Sequence, residues 1–176
     1  MEQEILEAAE KMVREGGYNA FSFRSIAKEV GIKSSSVHYH FPTKADLGAA
    51  VARYYTDKFL NHLGIPEELI QNKKDPIKIY IQAFKNALIK DKRMCLCGML
   101  GAEIDGLPSE VAVETKAFFE RNIEWLTTAY TLKDGKKNAR AKAIQTLALL
   151  QGGMIMSNVL SDIKVFDEAV LYIGNI

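Results

Sequence analysis

Between residues 33 and 44 the sequence reads KSSSVHYHFPTK, with three serines, two histidines and a tyrosine set between two lysines. Hydroxyls, imidazoles and a phenol are short-range hydrogen-bonding groups, and lysine adds positive charge. Together they suit contact with phosphate oxygens and base edges better than bond-making chemistry. The parts for catalysis are missing. Cys95 and Cys97 form a C-x-C pair, which has too few ligands for a structural zinc site and the wrong spacing for a redox C-x-x-C. His38 and His40 are two apart, so on a helix they face different directions, and no third ligand sits nearby. There is no Glu-x-x-His pair for a carboxylate-bridged metal, no glycine-rich phosphate loop and no G-x-S-x-G elbow. The histidines all lie by residue 62, well before the cysteines. An enzyme is therefore not expected, nor is a cofactor or a bound metal.

The elements around this run are short and helical. Ile5, Ala9, Met12 and Val13 fall at i, i+4, i+7 and i+8, one apolar face of a first helix that Gly16 and Gly17 end. Tyr18 and Phe21 follow as core anchors. Ser22 is an N-cap for a second helix carrying Ile26, Ala27 and Val30 and stopping at Gly31. The serines at 34 to 36 offer the N-cap of a third helix, which Pro42 stops. Thr43 then opens a long fourth helix to about Leu63, with Asp46 in the capping-box position. Two short helices joined by a tight turn at Gly31 are the helix-turn-helix pattern. In it the first helix crosses the DNA backbone and the second enters the major groove. Ser34, Ser35 and Ser36 are then placed to approach phosphates, and His38, Tyr39 and His40 to reach phosphates or base edges. Lys44, just after the Thr43 cap, together with Arg24 and Lys33, supplies phosphate-pairing charge. Tyr39 has a core alternative, and DNA contact is the favoured reading.

Beyond residue 63, Gly64 and Pro66 break the long helix, and a second lobe begins. Asp75 and Pro76 start a helix with Ile77, Ile81, Phe84 and Leu88 on one face. Further helices are expected over about 94 to 104, from Pro108 to about Tyr130, from about Asn138 to Leu160, and around Phe166 to Ile173. The fold class is thus all-α, with about nine helices. A helix-turn-helix domain over residues 1 to 47 precedes a helical body over 48 to 176, and the helix over about 44 to 63 connects them. In the body, Phe84, Leu100, Phe118, Trp125 and Met154 either line a pocket or fill the core, which apolar periodicity does not separate. Glu103, if buried, would need a ligand or a basic partner. Gly152 and Gly153 sit mid-helix, where each costs about 0.8–1.0 kcal/mol relative to alanine. Close approach of a partner helix across a dimer interface, or of a ligand, would compensate.

Bulk properties narrow the class further. With 48% hydrophobic and 26% charged residues and only 4 prolines, the chain is expected to fold throughout. The net charge of +1 gives no global nucleic-acid signature. Its distribution does: Arg24, Lys28, Lys33, Lys44, Arg53 and Lys58 face only Glu29, Asp46 and Asp57 over residues 22 to 58, whereas the opening helix is rich in glutamate. The N-terminal segment has no basic n-region or apolar h-region, so a cytoplasmic protein is expected. The most apolar run, Thr146 to Leu160, is interrupted by Gln151, Ser157 and Asn158 and reads as a buried helix rather than a membrane span.

The run SFRSIAKEVGIKSSSVHYHFPTKADL, Ser22 to Leu47, closely resembles the DNA-binding signature of TetR-family regulators, including Ile26-Ala27, Gly31, Tyr39-His40-Phe41 and Lys44. The resemblance covers roughly residues 3 to 50. At His38 many members carry an aromatic such as tyrosine, so sequence preference is where this chain departs from the family. The stretch Cys97-Gly98-Met99-Leu100-Gly101-Ala102-Glu103, with Leu107-Pro108, Phe118, Phe119 and Trp125, is also similar to the effector domain of one TetR subgroup. The resemblance implies a homodimer and a repressor released from a palindromic double-stranded DNA operator by a small-molecule effector. It implies that the effector binds the second lobe, where the candidate pocket residues are Phe84, Cys97, Leu100, Glu103, Phe118, Trp125 and Met154. It also implies a dimer formed through the last two long helices, and the candidate interface residues are Gln151, Gly152, Ile155, Asn158, Phe166 and Val170. The rival from another class is a helical protein-interaction module without DNA binding, against which Arg24, Lys33, Lys44 and the serine run argue.

Overall fold

Glutamates at positions 2 and 4 complement the N-terminus of the first helix, Arg14 lies in its last turn, and Gly17, at φ 78°, ends it (α1, Glu2–Gly16). Its inner face is Ile5, Leu6, Ala9 and Val13, as the spacing predicts. The computed structural model describes residues 1–91 and 93–173, and ten α-helices lie among the described residues. After α1 come α2 (Phe23–Val30), α3 (Ser34–His40), α4 (Lys44–Leu63), α5 (Pro66–Gln71) and α6 (Pro76–Asn86). They are followed by α7 (Leu96–Ala102), α8 (Ser109–Asp134), α9 (Ala139–Leu160) and α10 (Ile163–Val170). Single 3-10 turns stand at Tyr18–Ala20 and Ile104–Gly106, and a π-helical turn, Ala87–Asp91, follows α6. The all-α expectation is met. The short α5, started by Pro66 at its N-terminus, is one helix more than the periodicity gives.

The chain divides into two compact units, one of Met1–Lys58 with Leu96–Phe119, the other of Phe59–Cys95 with the chain from Glu120 onward. In the first unit the core is built from Ile5, Val13, Phe21, Ile26, Val37, Leu47, Leu100 and Phe118, all nearly inaccessible to solvent. An ionic group lies beside it: buried Glu10 pairs with Arg14 at 3.5 Å and with Lys58 of α4, and the Arg14 guanidinium stands 5.8 Å above the Tyr55 ring. Taking charges out of water is costly, and pairing of this kind offsets that cost.

In the second unit, Asp75 caps α6 by accepting from the N–H groups of Ile77 and Lys78 at 3.0 and 3.3 Å. Its inner face includes Ile77, Tyr80 and Phe84. Tyr80, Phe84, Phe59 and Trp125 form one aromatic cluster, with Tyr80 stacked on Phe84 at 5.4 Å and Phe59 edge-on to both. α9 carries the longest apolar run. The sequence reads it as a buried helix, and that holds for one face only. Leu147, Leu150 and Met154 are inside, whereas Ile144, Ile155, Met156, Val159 and Leu160 are exposed. α10 folds back on α9 through Ser157, whose hydroxyl donates to the Asp162 carbonyl at 2.8 Å and accepts from the Phe166 N–H at 3.0 Å.

This corner explains one of the two mid-helix glycines. A Cβ on Gly153 would stand 3.2 Å from Ala169 Cβ and 3.3 Å from the Phe166 ring, so its partner helix is α10 of the same chain. Gly152 meets nothing within 4 Å. Replacing Gly153 by valine is expected to force α10 away from α9 and to destabilise the protein by roughly 1–3 kcal/mol, the usual cost of overpacking. Denaturant unfolding measures this; an unchanged midpoint would mean that α10 does not need the close approach.

Candidate nucleic-acid interface

α2 is fixed locally at both ends. At its start Ser22 accepts from the Ser25 N–H at 3.1 Å and donates its own N–H to Ser25 Oγ at 2.8 Å, a reciprocal cap. At its end Gly31 takes the left-handed conformation, φ 78° and ψ 31°, and both Gly31 and Ile32 donate to the Ala27 carbonyl at 3.0 and 2.9 Å. The chain thus turns sharply into α3, which packs against α2.

The serines do not cap α3, contrary to the sequence reading. Lys33, extended at φ −79° and ψ 144°, occupies the N-cap position and its carbonyl accepts from Ser36 N–H at 2.9 Å, so Ser34 to Ser36 form the first helical turn. This frees their hydroxyls from capping. Along α3, Val37 is buried, Ser34, Ser36 and His40 are half-buried, and Ser35, His38 and Tyr39 are exposed, Tyr39 to 86%. The exposed phenol belongs to no core. His38 lies edge-on to Phe23 of α2 with ring centroids 4.4 Å apart, a support that sequence reasoning did not identify. His40 turns toward α1, its Nδ1 3.8 Å from Glu2 Oε2. Arg24 and Lys33 are exposed.

The start of α4 matches its sequence signature. Thr43 Oγ1 accepts from Asp46 N–H at 3.1 Å, and Asp46 Oδ2 accepts from the Thr43 N–H and hydroxyl at 3.0 and 2.7 Å. Lys44 then lays its ammonium over two rings, 4.6 Å from the Tyr18 centroid and 4.8 Å from that of Phe21. Partial burial lowers the Lys44 pKa, and the nearby Glu103 carboxylate opposes that shift.

The effector candidates divide between the units. Cys97, Leu100 and Phe118 are buried in the first unit, where Glu103 also lies, half-buried. Phe84, Trp125 and Met154 are buried in the second, two of them in the aromatic cluster. There Tyr80 donates to Asn122 Oδ1 at 2.6 Å and Trp125 Nε1 to the Gly64 carbonyl at 2.8 Å; burial raises the Tyr80 pKa well above the ordinary phenol value. Of the interface candidates, Ile155 and Asn158 are exposed, Gly152 and Val170 are half-buried, and Phe166 is wholly inside the subunit. Gln151 turns its Nε2 to Cys95 Sγ at 3.3 Å.

The family model for bacterial regulatory proteins of the tetR family matches residues 5–51, the stretch from α1 into α4. A curated relative, the uncharacterized HTH-type transcriptional regulator YuxN of Bacillus subtilis, is 39% identical over 57 residues, which span 32% of this chain and 20% of that protein. Likeness over the whole length comes from solved structures. A TetR transcriptional regulator from Legionella pneumophila is 32% identical, with 99% of this chain and 96% of that one covered and a TM-score of 0.87. The chain belongs to the TetR family. It is a DNA-binding transcriptional regulator, and the helix-turn-helix is its DNA-binding element. A TetR-family regulator from Agrobacterium tumefaciens agrees, at 30% identity, 96% and 92% coverage and a TM-score of 0.83. The Bacillus subtilis regulator FadR, solved in complex with stearoyl-CoA, shares the fold at 15% identity, 98% and 97% coverage and a TM-score of 0.74.

Proposed function

We propose that this TetR-family regulator is a cytoplasmic repressor that binds a palindromic operator as a homodimer and is released when a small-molecule effector enters its helical body. The observation that carries the DNA reading is α3. It buries Val37 and turns Ser35, His38 and Tyr39 outward, with Arg24 and Lys33 exposed nearby in the chain. Its hydroxyl and ring groups read DNA, His38 and Tyr39 at base edges or phosphates and Ser34 to Ser36 at phosphates. Lys44 and Thr43 meet the backbone at the start of α4, and His40, turned toward Glu2, contributes at the margin.

The dimer reading rests on α9. Ala141, Ile144, Ala148, Gly152, Ile155 and Val159 recur every three or four residues on one face. Its large side chains are exposed, 44% at Ile144, 51% at Ile155 and 75% at Val159. A continuous apolar stripe of this length on water is the mark of a protein interface, and the same stripe on two copies is self-complementary. Gly152, with open space above it, lets a partner helix approach. Phe166 is spent inside the subunit, so the proposed interface draws on Ile155, Asn158 and Val170 instead.

The effector reading rests on the second unit's interior. Gln151 Oε1 is buried and lacks a hydrogen-bond donor among the described residues, while the Nε2 of the same amide lies 3.3 Å from Cys95 Sγ. A buried acceptor left unpaired costs free energy. A largely apolar effector with one N–H or O–H donor would satisfy it; that FadR was solved with stearoyl-CoA is a property of FadR.

Lys44→Ala is expected to weaken binding to all duplexes alike and to flatten the salt dependence by about one phosphate contact, whereas His38→Ala and Tyr39→Ala alter sequence preference. Tyr39→Ala should leave the unfolding free energy within about 0.5 kcal/mol, because the side chain is exposed. Gel shifts across salt, on a duplex selected by the wild-type protein from a random pool, read all three; unchanged affinities would sink the assignment of this face. Placing a charge in the stripe with Ile155→Asp is expected to give folded monomers in sedimentation and to cost operator affinity with them. A dimer of unchanged stability would remove α9 from the interface. In a thermal-shift screen of metabolites, a true effector at about 100 times its Kd adds about 2.7 kcal/mol of stability, and it should stabilise Gln151→Leu less.

A further inference from the structure

We propose that Glu103 is a positioning residue for DNA binding: from the end of α7 its carboxylate holds the turn that opens the helix-turn-helix and, through Tyr18, keeps Lys44 aimed. The first limb is a hydrogen bond. Glu103 Oε2 accepts the backbone N–H of Tyr18 at 2.9 Å, across 85 residues of sequence. The second is a fit that only glycine permits. Gly17 has φ 78°, and a Cβ there would stand 2.0 Å from Glu103 Oε1, so the carboxylate occupies the space a side chain would fill. The third is the ring that the strapped residue carries. Tyr18 packs edge-on to Phe21 at 5.6 Å, and the Lys44 ammonium rests on both. Glu103 also supplies the negative charge nearest in effect to Lys44, favouring its protonated form against burial.

An acidic side chain near a DNA-binding face ordinarily weakens binding by repelling phosphates, and its removal then raises affinity. The arrangement here requires the opposite sign. Without the carboxylate, the Gly17–Tyr18 turn loses the group that fixes it, the Tyr18 ring loses its register and Lys44 loses its platform. A residue that only stabilised the fold would change neither the number of phosphate contacts nor its coupling to Lys44.

The inference rests on Lys44 as a phosphate contact, which the single variant Lys44→Ala tests by itself on the duplex selected by the wild-type dimer. If Lys44→Ala binds as well as wild type, that reading falls and this one with it. With it standing, Glu103→Ala is expected to lose affinity by about tenfold, the size of one hydrogen bond to a charged group, and to flatten the salt slope as Lys44→Ala does. Glu103→Gln keeps an acceptor for the Tyr18 N–H and is expected within about threefold of wild type. The double variant Glu103→Ala with Lys44→Ala should bind no more weakly than Lys44→Ala alone. Equal or tighter binding by Glu103→Ala, losses that add in full, or a salt slope left unchanged overturns the proposal. Glu103→Asp gives the same test should Glu103→Ala fail to fold. Its charge is kept but its carboxylate is withdrawn from Tyr18, so wild-type affinity there is also contrary to the proposal.

Discussion

The burial of Val37 is the constraint on which the DNA-reading surface depends. α3 has seven residues, and helices that short do not hold together in water on their own. Its place is set by Val37, fully buried, and by Phe41 just past its end, both in the core with Ile26 and Ala27 of α2. Every group that faces outward, from Ser35 to Tyr39, takes its position from those contacts. The flanking caps, Ser22 with Ser25 and Thr43 with Asp46, fix where the neighbouring helices begin and leave α3 little freedom to slide.

What was legible in the sequence was local. Caps, stops and faces are written within four residues of one another, so Ser22, Gly31, Thr43 with Asp46, and Asp75 with Pro76 stand where their types put them. The failures share a different cause. The serine run looks like a cap because serine is a good one, yet the turn after Gly31 ends one residue early and Lys33 takes the position. Gly153 reads as room for a second subunit, but the fold-back of α10, set by Ser157 and Asp162, brings the crowding from within the chain. Glu103 meets Tyr18 across 85 residues, a distance over which periodicity carries no information. Whether Phe84, Leu100, Phe118, Trp125 and Met154 surround an effector is likewise set by packing that the pattern of apolar residues does not encode.

α9 shows how composition and structure answer different questions. By length and hydropathy, Ala139–Leu160 is apolar enough to cross a membrane, with 39% of its most apolar window buried. That measure counts residues without regard to direction. Direction separates the cases: Leu147, Leu150 and Met154 point into the unit, and the exposed apolar residues keep to the remaining arc. A helix with one apolar face against its own unit and a second apolar face outward reaches this hydropathy with no membrane, and the second face is the one assigned above to the proposed dimer. The same two-sidedness accounts for its high overall apolarity.

The electrostatics of the DNA-binding unit narrow its design further. Of the basic residues between 22 and 58, Arg53 is held by Glu114, with its Nε 3.0 Å from the carboxylate, and Lys58 is paired with buried Glu10. Lys44 is folded onto two rings. Four cations thus remain to meet phosphate, Arg24, Lys28 and Lys33, all exposed, and Lys44 on its rings, fewer than the sequence tally suggests. Non-specific affinity for DNA rises with the number of phosphates neutralised, so a surface this sparse gains little from charge alone. Affinity then depends on how accurately a few side chains are held, and in the proposed homodimer that accuracy would count twice. A regulator built this way has reason to fix its recognition turn from outside the helix-turn-helix, even with an acidic residue that charge counting would place elsewhere.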